Sequence, residues 1–375
     1  MRFADVIGQE KAKSSLKAGV DAGRIPHAQF FVGPEGSGSM ALALAYVQYI
    51  HCSQRTDDSC GECTNCRQFS GMIYPDLRFT YPFAGKDSLS DDFRGKWDQA
   101  FKANPYLNLS QWMDILDVKT VNIFIKELKH LAHNMEFQPF ADGYKVQFIW
   151  HPEFMAGDSN AILKLIEEPP ENSLFILVGE STETVLKTIV SRTQIVRVPP
   201  IDNNSMRQVL MQKHGLTEAE SMRISSICTG NYLLAQELIE NKENEYLDTF
   251  IEWLRLINKV NRLEMLKHKE QLLKGGKVYQ KGFLLYALSI FRAALLYKYA
   301  NKEPEFSVKE REFIYKLKTV IDHEVVAKAE ELISEYIYAI DRNVSARMIF
   351  NSLTHDMMAA FVKKRSRTQA TKGVE

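Results

Sequence analysis

The sequence predicts an α/β protein built on a parallel sheet, followed by a region of helices alone, and three observations carry that reading. Short apolar runs alternate with helix-period segments through residues 1–200, the pattern of strands joined by crossover helices. A glycine-rich stretch, Gly33-Pro34-Glu35-Gly36-Ser37-Gly38, joins the first of those runs directly to a helical segment. Beyond Pro199 and Pro200 no strand pattern survives, and only amphipathic segments follow.

Residues 28–32 (AQFFV) read as a buried strand, 40–50 as a helix, 146–150 (VQFIW) as a second strand and 174–178 (LFILV) as a third. Between the last two, 159–168 places Ile162, Leu163, Leu165 and Ile166 at helical spacing, and Pro169-Pro170 stops the helix. Residues 205–213, 217–228 and 232–241 read as short helices. A polar stretch at 241–244 leads to longer ones at 283–299, 323–340 and 344–364, with apolar faces that include Phe291, Leu295 and Tyr299. The expected division is 1–200, 201–243 and 244–375. The last residues, with Lys363, Lys364, Arg365, Arg367 and Lys372, read as a frayed basic tail.

Composition limits the function. The 375 residues suit two or three domains at roughly 150 residues each. Lys plus Arg and Asp plus Glu both number 47, so the chain has no excess of cations with which to coat nucleic acid. Apolar residues make up 45% and aromatics 11%, enough for a sizeable core and too many for disorder. No apolar run follows Arg2, and no stretch of about 18 uncharged apolar residues occurs. A soluble, cytoplasmic protein is expected.

Strand, glycine loop and helix together form the frame of a phosphate-binding loop, in which Gly33, Gly36 and Gly38 let backbone N–H groups curl around phosphates. The next positions break the chemistry. A working loop places Lys and then Ser or Thr there, for phosphate charge and for magnesium; this chain has Ser39 and Met40. The strand ending in Trp150 is followed by His151 and Pro152, with only Glu153 beyond to serve magnesium. Trp150 reads as core. Nucleotide is not expected at this loop.

Cys52, Cys60, Cys63 and Cys66 present four soft thiolates within fifteen positions, at spacings that wrap a tetrahedral zinc ion. With all four places filled by protein, such a site is structural, and Gly61 eases its turn. Cys228, beside Ile224 and Ile227, reads as core.

In order along the chain, Val6-Ile7-Gly8-Gln9-Glu10, Arg24-Ile25-Pro26-His27-Ala28, the glycine loop, Ser59-Cys60-Gly61-Glu62-Cys63-Thr64-Asn65-Cys66, Asn160 to Pro170 and Thr188-Ile189-Val190-Ser191-Arg192 resemble bacterial DNA polymerase III clamp-loader subunits of the AAA+ family. The resemblance covers roughly residues 1–235. It implies an AAA+ sheet domain with an inserted zinc module at 52–66, a small helical lid and a C-terminal helical collar used for oligomerisation. It also implies that Arg192, preceded by Ser191, acts as an arginine finger in a neighbouring subunit's ATP site, with Thr193 in place of the family's Cys. Leu233 stands where the family's lid carries a sensor Arg. Missing Lys, missing acids and missing sensor together point to the non-hydrolysing stator class. The implied partners are gamma/tau ATPase subunits, a delta subunit, the sliding clamp and, through a few phosphates, primed DNA; no membrane is implied. Two alternatives remain: an active gamma/tau-type ATPase with an unusual loop, and a zinc-dependent DNA-binding module on a relict nucleotide fold. The stretch 80–112 departs from the family pattern and is either a surface elaboration or a lineage-specific contact.

Overall fold

The computed structural model describes residues 1–140, 143–155, 160–240, 246–259, 276–304, 306–341 and 345–372. It divides into two compact units, Met1–Met206 with Gly230–Leu233, and Arg207–Thr229 with the described residues from Leu234 onward.

The first unit is built on five parallel strands, β1 (Ala28–Val32), β2 (Leu77–Thr80), β3 (Lys145–Trp150), β4 (Ser173–Gly179) and β5 (Gln194–Arg197), in the order β2-β3-β4-β1-β5. Every residue of β3 and β4 is buried, because helices cover both faces of a parallel sheet, and this is why their sequences are near-continuous apolar runs. Phe30, Ile149, Phe175 and Leu177 form a core with Leu128, Ile162 and Ile189 from the covering helices. Sequence patterning anticipated β1, β3 and β4 and missed both edges. Those edges are four-residue strands, LRFT and QIVR, in which exposed Arg78, Gln194 and Arg197 and the buried but hydrogen-bonded Thr80 interrupt the apolar run.

Helix Ser39–His51 follows the glycine loop and is buried at every residue, so it runs through the middle of the unit. Helix Asn160–Glu167 ends before Pro169-Pro170; Ser159 and the polar stretch 241–244 lie outside the described residues.

The stretch 80–112 is no surface elaboration. It forms helices Arg94–Ala103 and Leu109–Leu116, anchored by a fully buried aromatic cluster. Trp97 stacks on Tyr81 at 4.1 Å and meets Trp112 and Trp150 edge-on at 5.2 and 5.1 Å. Trp150 at the end of β3 is thus core, held by this insert. Ser90 is tied down through the buried Glu127 carboxylate, which accepts from the Ser90 hydroxyl at 2.5 Å and from Thr80 of β2 at 2.8 Å.

The second unit is helical. Helices Tyr246–Lys259, Gly276–Ala300 and Ala346–Lys372 share a core with Phe250, Trp253, Phe283 and Phe350, in which the Trp253 indole donates to Thr354 at 3.0 Å. Cys228 is fully buried. The stretch Tyr279–Ala300 is long and apolar enough to cross a membrane by composition, but half of it is buried in the protein, as in a core helix. The backbone stays helical to Lys372, where the sequence suggested a frayed tail.

Candidate phosphate loop, cysteine cluster and exposed arginine

Gly33–Gly38 lies between β1 and the helix Ser39–His51 in the arrangement the glycine spacing requires. Gly36 and Gly38 adopt left-handed backbone with φ +71° and +88°, open to glycine at no steric cost. Gly33 is needed for space: a Cβ there would stand 2.2 Å from the Val198 carbonyl oxygen. The concavity that such a loop offers to phosphates is filled by the chain itself. The Ser37 and Ser39 hydroxyls hydrogen-bond to each other at 3.1 Å, and Met40 is buried. Asn231 presses on Gly36, where a Cβ would lie 1.9 Å from its Oδ1, and donates to Glu35 at 3.1 Å. The Tyr106 ring covers Gly38, 2.8 Å from a Cβ built there. What remains is a cavity of about 50 Å³, against roughly 300–1,000 Å³ for a ligand pocket.

The strand end beside the loop is equally closed. His151 has left-handed backbone, and its Nδ1 lies 2.7 Å from Glu153 Oε1, so the Glu153 carboxylate is engaged by an imidazole. No side chain at these positions supplies the paired charge that a magnesium-bound triphosphate needs.

The four cysteines converge. Cys52 closes the helix Ser39–His51, Cys63 caps the helix Thr64–Ser70 and Cys66 lies in its first turn, while Gly61 turns the chain between them at φ +77°. Their sulfurs lie within 4.8 Å of one another, Cys60 and Cys66 at 3.9 Å; tetrahedral zinc with bonds of about 2.3 Å needs spacings of about 3.8 Å. Backbone N–H groups already point at the sulfurs, from Cys60 to Cys52 at 3.2 Å and from Cys63 to Cys60 at 3.3 Å. Burial works against ionisation of Cys63, yet the N–H groups of Cys66 and Ser53 hold its thiol down to about 6. The N–H groups of Cys63 and Glu62 lower Cys60, whereas burial raises Cys52 and Cys66. The donor set fits a soft tetrahedral cation. Zinc bound there would supply folding energy, with no ligand position left open for chemistry.

Arg192 follows the short helix Lys187–Val190 and does not line the loop cavity. Its guanidinium lies 2.5 Å from Glu167 Oε1 and donates to the Thr188 carbonyl at 3.0 Å, with both side chains of the ion pair more than a third exposed. These contacts, with a longer one to the Ser191 hydroxyl at 3.4 Å, fix the plane of the fork, and the side chain stays 38% exposed. Ser191 donates to the Thr188 carbonyl at 3.1 Å, steadying the same turn. The sequence reading missed Tyr106, Asn231 and Glu167. Glu167 belongs to the Glu167-Glu168-Pro169-Pro170 motif and was open to discovery; Tyr106 carries no local signal.

A family model described as "DNA polymerase III, delta subunit" matches residues 8–202. The gamma/tau subunit of DNA polymerase III from Mycobacterium bovis is 29% identical over 209 residues, covering 56% of this chain and 30% of that protein. The tau subunit from Escherichia coli is 24% identical over 229 residues, covering 59% and 30%. The delta' subunit from Bacillus subtilis is 23% identical over 236 residues, covering 63% and 60%. The chain therefore spans 30% of the length of the gamma/tau relatives it matches. Among solved structures, a DNA polymerase III gamma subunit-related protein from Thermotoga maritima covers 93% of this chain and 99% of its own at 13% identity, with a TM-score of 0.35.

Proposed function

The chain belongs to the DNA polymerase III delta-subunit family, and on that premise we propose that it is a clamp-loader subunit of the non-hydrolysing stator class, called delta-prime. The observation that carries the reading is the filled phosphate loop, with Ser39 and Met40 in place of Lys and a magnesium-binding hydroxyl and a residual cavity of about 50 Å³. An ATPase of the gamma/tau type needs both the charge and the room.

In this reading the subunit contributes Arg192 to the ATP site of a neighbouring gamma/tau subunit. A planar, permanently charged guanidinium stabilises the charge that develops on a γ-phosphate, an effect of about 10³–10⁵ in rate where such fingers act. The exposed side chain of Arg192, pre-positioned by Glu167 and Thr188, supports that role. Residues 1–200 form the AAA+ module, 201–243 a lid and 244–375 an oligomerisation collar. Cys52, Cys60, Cys63 and Cys66 hold structural zinc. The partners are gamma/tau subunits, a delta subunit and the sliding clamp on primed DNA, in the cytoplasm; balanced charge supports DNA contact only at a few phosphates.

The test is to mix the purified chain with gamma/tau and delta subunits and to measure MgATP binding by the chain alone. A stable complex that loads the clamp, with no nucleotide bound by the isolated chain, is expected. Turnover of ATP by the isolated chain would overturn the reading in favour of an active ATPase.

A further inference from the structure

The cleft over the phosphate loop is closed by the chain's own insert. Pro105-Tyr106-Leu107 connects helices Arg94–Ala103 and Leu109–Leu116, a position in which an aromatic ring is ordinarily exposed. Tyr106 is 6% exposed. Its ring stands on Gly38, the residue that opens helix Ser39–His51, and meets Tyr232 edge-on at 4.9 Å. Its hydroxyl accepts the buried Ile7 N–H at 2.9 Å.

The connection is held at both ends. Asn104 Oδ1 accepts from the Tyr106 N–H at 3.0 Å, and Asn108 caps the following helix by accepting from the Gln111 N–H at 2.8 Å. Behind it the Trp97 cluster fixes the helix from which the connection leaves. Tyr106 therefore touches three parts of the first unit at once: the loop at Gly38, the N-terminal segment at Ile7 and the segment Gly230–Leu233 at Tyr232.

We infer that Tyr106 is a permanent intramolecular plug, which takes the space over the loop that a nucleotide would need and ties together the segments a nucleotide would bridge. This rests on the reading of Gly33–Met40 as a former phosphate loop and explains the insert that the family pattern leaves unaccounted for. A ligand shifts a conformational equilibrium only through its differential affinity for the two states, so a cleft filled by its own chain gives ATP nothing to shift. The module is thereby held in one arrangement whatever the nucleotide concentration, as a stator requires.

The loop lacks both space and charge, and the two are restored separately. MgATP binding is measured by titration calorimetry on the full chain as wild type, Tyr106→Ala, Ser39→Lys and the double variant. The double variant binds at least ~10-fold more tightly than Ser39→Lys alone, and the wild type does not bind. Equal affinity of Ser39→Lys and the double variant would overturn the plug, because charge alone would then have sufficed. A folded double variant that stays silent would overturn it equally. Binding without turnover by the wild type would likewise overturn the plug while leaving the non-hydrolysing reading standing; only turnover of ATP by the wild type would sink that reading, so the two failures are distinct. Should Tyr106→Ala fail to fold, Tyr106→Phe keeps the ring and removes only the acceptor for Ile7. Hydrogen exchange at the Ile7 amide then accelerates, whereas unchanged protection would contradict the plug.

Discussion

Replacing Arg192 by Ala removes the guanidinium proposed to act on a neighbour, and its effect on the isolated chain follows from the contacts. The guanidinium pairs with Glu167 at 2.5 Å, but side-chain exposures of 38% and 45% place the pair in the solvent-screened class worth about 0.2–1 kcal/mol. The bond to the Thr188 carbonyl, at 3.0 Å and also exposed, is exchanged for water on truncation and adds at most a comparable amount. The sum is about 1 kcal/mol, a fall in Tm of about 2–4 °C for a domain of this size. Circular dichroism melts of wild type, Arg192→Ala, Glu167→Gln and the double variant measure it. The double variant is expected to lose no more than about 1 kcal/mol beyond either single change, and ~1 M salt to shrink even that, since the screening length is then about 3 Å. A Tm loss above ~8 °C for Arg192→Ala would instead make Arg192 a structural residue and not one held ready for a partner.

Trp97 is fully buried and central to the cluster that carries Tyr106, so Trp97→Ala should cost about 3–5 kcal/mol in thermal unfolding, with accelerated exchange at the Ile7 amide. One zinc per chain is expected by elemental analysis; removing it with EDTA should lower stability by ~2.7 kcal/mol relative to free zinc at ~100 times Kd, and Cys60→Ser should abolish the difference. The Ser205 hydroxyl and N–H lower the Asp202 carboxyl below its usual 3.8, so the stabilisation by these hydrogen bonds is fully present above that value and lost as pH falls through the lowered one. Asp202→Asn should flatten the acid limb of stability below about pH 4, as measured by urea titration.

What the sequence disclosed and what it hid follow from the range of the interactions. β1, β3 and β4 are buried on both faces, so each writes itself as an apolar run, and the four cysteines meet because they lie within fifteen positions. Arg192 was visible through its motif. Tyr106 was not, because its partner Ile7 is 99 residues away and nothing around Pro105-Tyr106-Leu107 announces where the connection lands. Asn231 reaches Glu35 across 196 positions in the same way. The loop's missing charge was thus legible, whereas its occupant was settled by long-range packing of an insert whose aromatic residues read only as a departure.

The proposed role of the subunit requires Arg192 to reach a neighbour's ATP. The direct measurement is clamp- and DNA-stimulated ATP hydrolysis by a loader reconstituted with wild-type or Arg192→Ala chain, with assembly checked by size exclusion. An intact complex whose affected site loses on the order of 10³-fold or more in rate is expected. Unchanged hydrolysis at that site in an intact complex would contradict the account.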